Sequence, residues 1–239
     1  MTAGTKATQS APIQAHATTP HLPYHPRPLK RGERSRREVF VYFSPRNQRI
    51  ATIADMVNVA LALRLEFDPA LSHYIERPRR LKVSDKHEID ITFWTRSKTG
   101  QEAFYLVVPD SGTVSSTVGT LSIRDRSVLV AAAQRQGITL HFVTEDELLS
   151  SRTWLATAFE LLPLVWQYGR LLNRSMIRAR IEGLMRNVER TNLSSLLKAL
   201  DYEPSHVRAV VAAMVHEGSV RLVDYQPGGV DAVLEVPHA

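Results

Sequence analysis

A chain of 239 residues is long enough for one large domain or two modest ones, and 44% hydrophobic with 23% charged residues excludes global disorder. The absence of cysteine excludes disulfide frameworks, Cys-type zinc sites and thiol nucleophiles, and no apolar run is long enough to span a membrane. The net charge of +6 is uneven: residues 1–39 hold seven basic and two acidic side chains, and residues 166–190 hold six Arg against two Glu, in an otherwise near-neutral chain. Basicity gathered in this way suits phosphate contacts, although a solvated tail would have the same composition.

Residues 1–28 are rich in Thr, Ala, Pro and His without apolar periodicity, and open a basic leader expected to be disordered over 1–38. Nothing in it has the pattern of a signal peptide, so the chain reads as cytoplasmic, without a membrane partner. Residues 39–43 (VFVYF) read as a strand closed by the turn Ser44-Pro45-Arg46-Asn47. Over 51–65, Met56, Val59, Ala60 and Leu63 form the stripe of an amphipathic helix that stops at Phe67-Asp68-Pro69. Residues 72–83 are extended and basic, 89–94 alternate as a strand, and 103–108 form a continuously apolar strand after the turn at 97–101. A helix over 125–136 ends at Gly137, a strand over 138–143 follows, and Thr144 with Glu147 carries the signature of a helix start. These elements describe an α/β domain with a mixed sheet over 39–152.

From 153 onward the pattern is mainly helical. The first helix, over 154–172, is expected to bend or restart near Pro163. Helices over 175–187, 193–200 and 204–217 follow, then strands over 220–224 and 230–236 around Gln226-Pro227-Gly228-Gly229. Three helices and a hairpin have the layout of a winged helix.

Residues 41–78, with Arg49, Leu65-Glu66-Phe67-Asp68-Pro69, Tyr74 and Arg77-Pro78, and residues 124–163, with Gly137 and Val143-Thr144-Glu145, together resemble the TnsA-like endonucleases. These are subunits of heteromeric transposases that cut one strand at transposon ends. The resemblance implies a restriction-endonuclease-like mixed sheet flanked by helices, a C-terminal winged-helix domain, and DNA, a strand-transfer transposase and an ATPase regulator as partners. It also implies a helix acid, a strand aspartate and a Glu-x-Lys pair around Mg²⁺. Laid onto this chain, those positions are Asn58, Asp90, Leu106 and Val108, so only the aspartate is retained. Leu and Val ligate no cation and the lysine is missing, so the centre reads as degenerate, with no cofactor expected and no metal ligand unless Asp90 serves an active, Mg²⁺-dependent variant. Asp85, Glu88, Glu102, Asp110 and Lys98 are the candidates for such a displaced centre.

For DNA contact the candidates are Arg77, Arg79, Arg80 and Lys82 on the extended run, Arg170, Arg174 and Arg178 at helical spacing, and His206 and Arg208 on the expected recognition helix. The expected function is that of a TnsA-like transposition subunit without nuclease activity that binds transposon ends and bridges its partners. The alternatives are an active endonuclease with displaced ligands and a winged-helix DNA-binding regulator.

Overall fold

The computed structural model describes residues 22–115, 121–225, 227 and 232–237. The expected leader over 1–21 and most of the expected turn at 226–229 therefore lie outside the described residues. A short helix α1 (Arg31–Arg36) precedes an antiparallel pair, β1 (Val39–Ser44) and β2 (Arg49–Ala54), running from Val39 opposite Ala54 to Ser44 opposite Arg49. β2 corrects the helix expected from residue 51. Ala51 and Ile53 are buried while Ile50 is exposed, the two-residue period of a strand with one covered face. Helix α2 (Met56–Glu66) starts only after Asp55, whose φ of 69° turns the chain out of the strand.

Strands β3 (Leu71–Glu76), β4 (Arg80–Lys82), β5 (Glu88–Asp90), β6 (Phe93–Ser97) and β7 (Glu102–Val108) follow. The single strand expected over 89–94 is divided. Up to Asp90 it pairs with β4, and from Phe93 it pairs with β7, the Thr92 N–H donating to the Tyr105 carbonyl at 2.9 Å between them. A small hairpin, β8 (Thr113–Ser115) and β9 (Leu121–Ile123), leads into α3 (Arg126–Arg135), then β10 (Leu140–Thr144) and α4 (Glu145–Leu149). Gly137, at φ 66°, makes the turn between α3 and β10, and the Thr144 hydroxyl accepts from the Glu147 N–H at 3.2 Å to cap α4.

The principal sheet has the order β10-β7-β6-β3, with β10 parallel to β7 and the other pairs antiparallel. Alternation along its strands feeds two cores. Tyr74 and Phe93 face the cluster containing Val59 and Leu63 of α2, while Ile75, Trp94 and Phe104 face Ala132 and Ala133 of α3. The chain is thus an α/β protein whose mixed sheet is flanked by helices. Residues 22–38 pack against the sheet: the Tyr24 ring meets Trp94 and Phe104 edge-on at 5.4 and 5.5 Å, and Leu29 is buried. Two apolar anchors hold a segment that has no periodicity of its own, each aromatic pair contributing about 1 kcal/mol.

The C-terminal part comprises α5 (Arg152–Tyr168), α6 (Arg174–Met185), β11 (Arg190–Asn192), α7 (Leu193–Ala199), α8 (Pro204–Glu217), β12 (Arg221–Val223) and β13 (Val233–Glu235). α5 continues through Pro163, where a bend or restart was expected. β13 lies between β11 and β12, antiparallel to both. One hydrophobic cluster includes Leu63 of α2, Leu162 of α5, Val211 of α8 and Leu234 of β13, so the core continues across the expected boundary at 152. Among the described residues, no helix is long and apolar enough to cross a membrane.

Candidate functional site

Where α2 begins and the chain bends between β5 and β6, the fold leaves a cleft of about 720 Å³. Asn58 enters it from the first turn of α2, Glu76 and Arg77 from the end of β3, Asp90 from β5 and Leu106 from β7, while Leu29, Glu33 and Arg37 form a wall supplied by the N-terminal segment. Three of the four positions singled out by the sequence therefore line one cavity. Val108 does not: it is buried, with its side chain beside Gly112. Asp90 lies on β5, which pairs with β4, and only the chain beyond it joins β7, so Asp90 and Leu106 are not on neighbouring strands.

The polar groups of the cleft are engaged. The Asn58 amide donates to the Ala54 carbonyl at 2.8 Å. The Asp90 carboxylate accepts from Arg27 and, at 3.2 Å, from Arg80 Nε. Glu76 is held by Arg49, and Asp55 by Arg37 at 2.9 Å. Burial pushes the Asp90 carboxyl up, but the bonds and charges of Arg27 and Arg80 outweigh it and hold the group below its ordinary value. Its stabilising contribution is therefore present above the ordinary aspartate pKa of 3.8 and is lost as the pH falls through the depressed value. Carboxyl NMR titration should find Asp90 below 3.8 and Arg27→Ala should move it upward; an unmoved titration would deny the Arg27 pairing.

Divalent-metal chemistry fits this donor set poorly. Hard cations take several oxygen ligands, whereas the retained carboxylate is already paired with two guanidinium groups and Leu106 offers hydrocarbon. The displaced candidates are engaged elsewhere: Asp85 with Lys82 at 3.0 Å, Glu88 with Arg80 at 3.2 Å, and Glu102 with Arg96 at 2.8 Å and Trp94 Nε1 at 3.0 Å. Asp110 and Lys98 do not line the cleft.

The basic candidates separate into two groups. Arg80 faces Asp90 and Lys82 faces Glu88 across β4 and β5, so opposite charges oppose one another in the ladder. Arg77 lies outside both strands at φ 48°, its Nε donating to the Arg27 carbonyl at 2.8 Å, and Arg79 reaches Gln136 at 3.3 Å. Arg178 is bound by Glu182 and Glu217, which raise its pKa further. On α8, Ala209 and Ala213 are buried, and α5 packs along that helix. His206 and Arg208 are half-buried, leaving little of α8 to enter a groove. Lys82 is exposed but paired with Asp85, whereas Arg170 and Arg174 are exposed beside aromatic rings: Arg170 is 3.7 Å from the Trp166 centroid and Arg174 5.6 Å from that of Tyr168.

A second polar centre escaped the sequence reading. Glu66, fully buried at the end of α2, accepts from Ser44 Oγ at 2.6 Å, Tyr74 OH at 2.7 Å, the Arg46 N–H at 2.9 Å and His216 Nε2 at 2.9 Å. The signal was its place on the apolar stripe, four and three residues on through Val59, Leu63 and Glu66. Burial raises the Glu66 pKa, yet the bonds from His216, Ser44 and Tyr74 prevail and keep it ionised.

Compared with models of known protein families and with curated proteins, the chain matches none.

Proposed function

We propose that this protein is a TnsA-like subunit of a heteromeric DNA transposase, whose restriction-endonuclease-like core serves as a scaffold and does not cut. The observation that supports this reading is the cleft shared by Asn58 of α2, Asp90 of β5 and Leu106 of β7, although β5 pairs with β4 and is not a neighbour of β7 in the principal sheet. The resemblance assigns those positions to the hydrolytic centre of such a core, and here they hold an amide, an arginine-paired carboxylate and a hydrocarbon. The order α6-β11-α7-α8-β12-β13, with β13 central, supports a winged-helix module after it.

In this reading the C-terminal module contacts transposon-end DNA through Arg170 and Arg174, and the protein joins a strand-transfer transposase to an ATPase regulator. Fold analogy alone carries those partner assignments. The burial of α8 disfavours the alternative of a regulator that reads base edges with that helix. The test is a nicking assay on transposon-end DNA with the cognate partners and Mg²⁺ or Mn²⁺, beside a mobility-shift assay on the same DNA. A shifted band without nicking is expected. Metal-dependent nicking abolished by Asp90→Ala would replace the scaffold with the active endonuclease, and absence of any DNA shift would remove the DNA-binding role.

A further inference from the structure

We propose that the corner formed by the C-terminal half of α5 and the start of α6 binds unpaired nucleic acid, with bases stacking on Trp166 and Phe159 and phosphates held by Arg170 and Arg174. This rests on the DNA-binding reading above and narrows it from duplex to single strand. Phe159, Pro163 and Trp166 recur four and three residues apart and so share one side of α5. Phe159 is 40% and Trp166 42% exposed, in a helix that buries Leu155, Leu161, Leu162 and Val165. The two rings start from backbone positions about 10 Å apart along the helix.

Charge selects the occupant. Among the described residues Arg170 and Arg174 have no carboxylate partner, whereas Arg178, one turn further on, is bound by Glu182 and Glu217. The structure also fixes where these cations sit: the Arg170 guanidinium lies over one face of the Trp166 ring at 3.7 Å, and Arg174 donates to the Gly169 carbonyl at 2.7 Å beside Tyr168. Exposed aromatic side chains with uncompensated guanidinium groups beside them are the elements of a single-strand platform, where every base offers a π-face and every linkage a negative charge. A duplex supplies the charge and keeps its base faces stacked. An acidic peptide also supplies charge, and it is the occupant the test must separate from the strand.

The experiment is fluorescence anisotropy of the full chain with labelled oligo(dT) of about 15 nucleotides, a length suited to stacking grooves, with a duplex of equal length and a poly-Glu peptide measured in parallel. Tighter binding of the single strand is expected, with Trp166→Ala weakening it about tenfold, Trp166→Phe keeping most of it, and duplex affinity changing little. Arg170→Ala should flatten the salt dependence by about 0.7 in slope. Unchanged oligo(dT) affinity in Trp166→Ala, with duplex binding intact, would overturn this proposal and leave the DNA-binding reading standing. Binding of poly-Glu in place of oligo(dT) would identify a protein-docking surface and overturn it as well. Failure of both nucleic acids to bind would overturn it together with the DNA-binding reading.

Discussion

Replacing Glu66 with alanine should cost about 3 to 5 kcal/mol of folding stability, the range for leaving one side of a buried ionic network uncompensated. Glu66 is fully buried and satisfies four donors, from Ser44, Arg46, Tyr74 and His216. Without the carboxylate those donors face one another across a dry gap, and the Arg46 guanidinium, which also donates to the Glu66 carbonyl at 2.9 and 2.6 Å, loses its nearby countercharge. Glu66→Gln preserves the volume but turns an NH₂ toward groups that are already donors, so an intermediate loss of about 1 to 3 kcal/mol is expected. The pH dependence has a definite sign. Because the folded-state pKa lies below the ordinary 4.5, the carboxylate stabilises the fold fully above that value, and the contribution disappears as the pH falls through the depressed pKa. Chemical denaturation across this acid range should therefore find wild type losing stability more steeply than Glu66→Gln. Equal stability of wild type and Glu66→Ala at neutral pH would mean that the network contributes nothing.

The sequence exposed those features that depend on local backbone chemistry. The bounds of α8 are legible because Pro204 fits a first helical turn and Gly218 a left-handed cap, and the passage from α3 to α4 is legible because Gly137 and Thr144 each perform a local task. What it hid depends on partners distant in the chain. Residues 51–54 suit either a strand end or a helix start, and pairing with β1 decides between them. The division of the strand at residues 91–92 reflects competition between β4 and β7 for one run of chain. Ala209 and Ala213 are small enough for either side of a helix, and only the approach of α5 assigns them to the core. Asn58, Asp90 and Leu106, the positions that the resemblance assigns, line one cleft. The pairing of Asp90 was not legible, because Arg27 lies 63 residues away in a segment without periodicity.

The second large effect is expected at Gly218, where backbone strain and steric clash fall on the same atom. Its φ is 81°, a region in which a Cβ costs about 1 to 2 kcal/mol. A Cβ built there would also stand 2.3 Å from Pro69 Cβ and 2.8 Å from Pro69 Cγ. The proline ring has no rotamer through which to withdraw, and its turn is tied by the Asp68 carboxylate accepting from the Ala70 N–H at 2.9 Å and the Asp68 carbonyl accepting from the Leu71 N–H at 3.1 Å. Overpacking of this kind adds about 1 to 3 kcal/mol, so Gly218→Ala should lose roughly 3 kcal/mol or more in denaturant titration. Gly137→Ala separates the two causes, since Gly137 has φ 66° with nothing within 4 Å of its Cβ position and should show the backbone cost alone. Pro69→Gly in the Gly218→Ala background should return the steric part, because it removes both atoms that crowd the new methyl group. If Gly218→Ala and Gly137→Ala were equally destabilised, α8 would be free to shift away from the α2–β3 turn. A larger loss at Gly218, relieved at Pro69, would mean that this contact holds the C-terminal helices in register with the sheet, next to the point where His216 reaches Glu66.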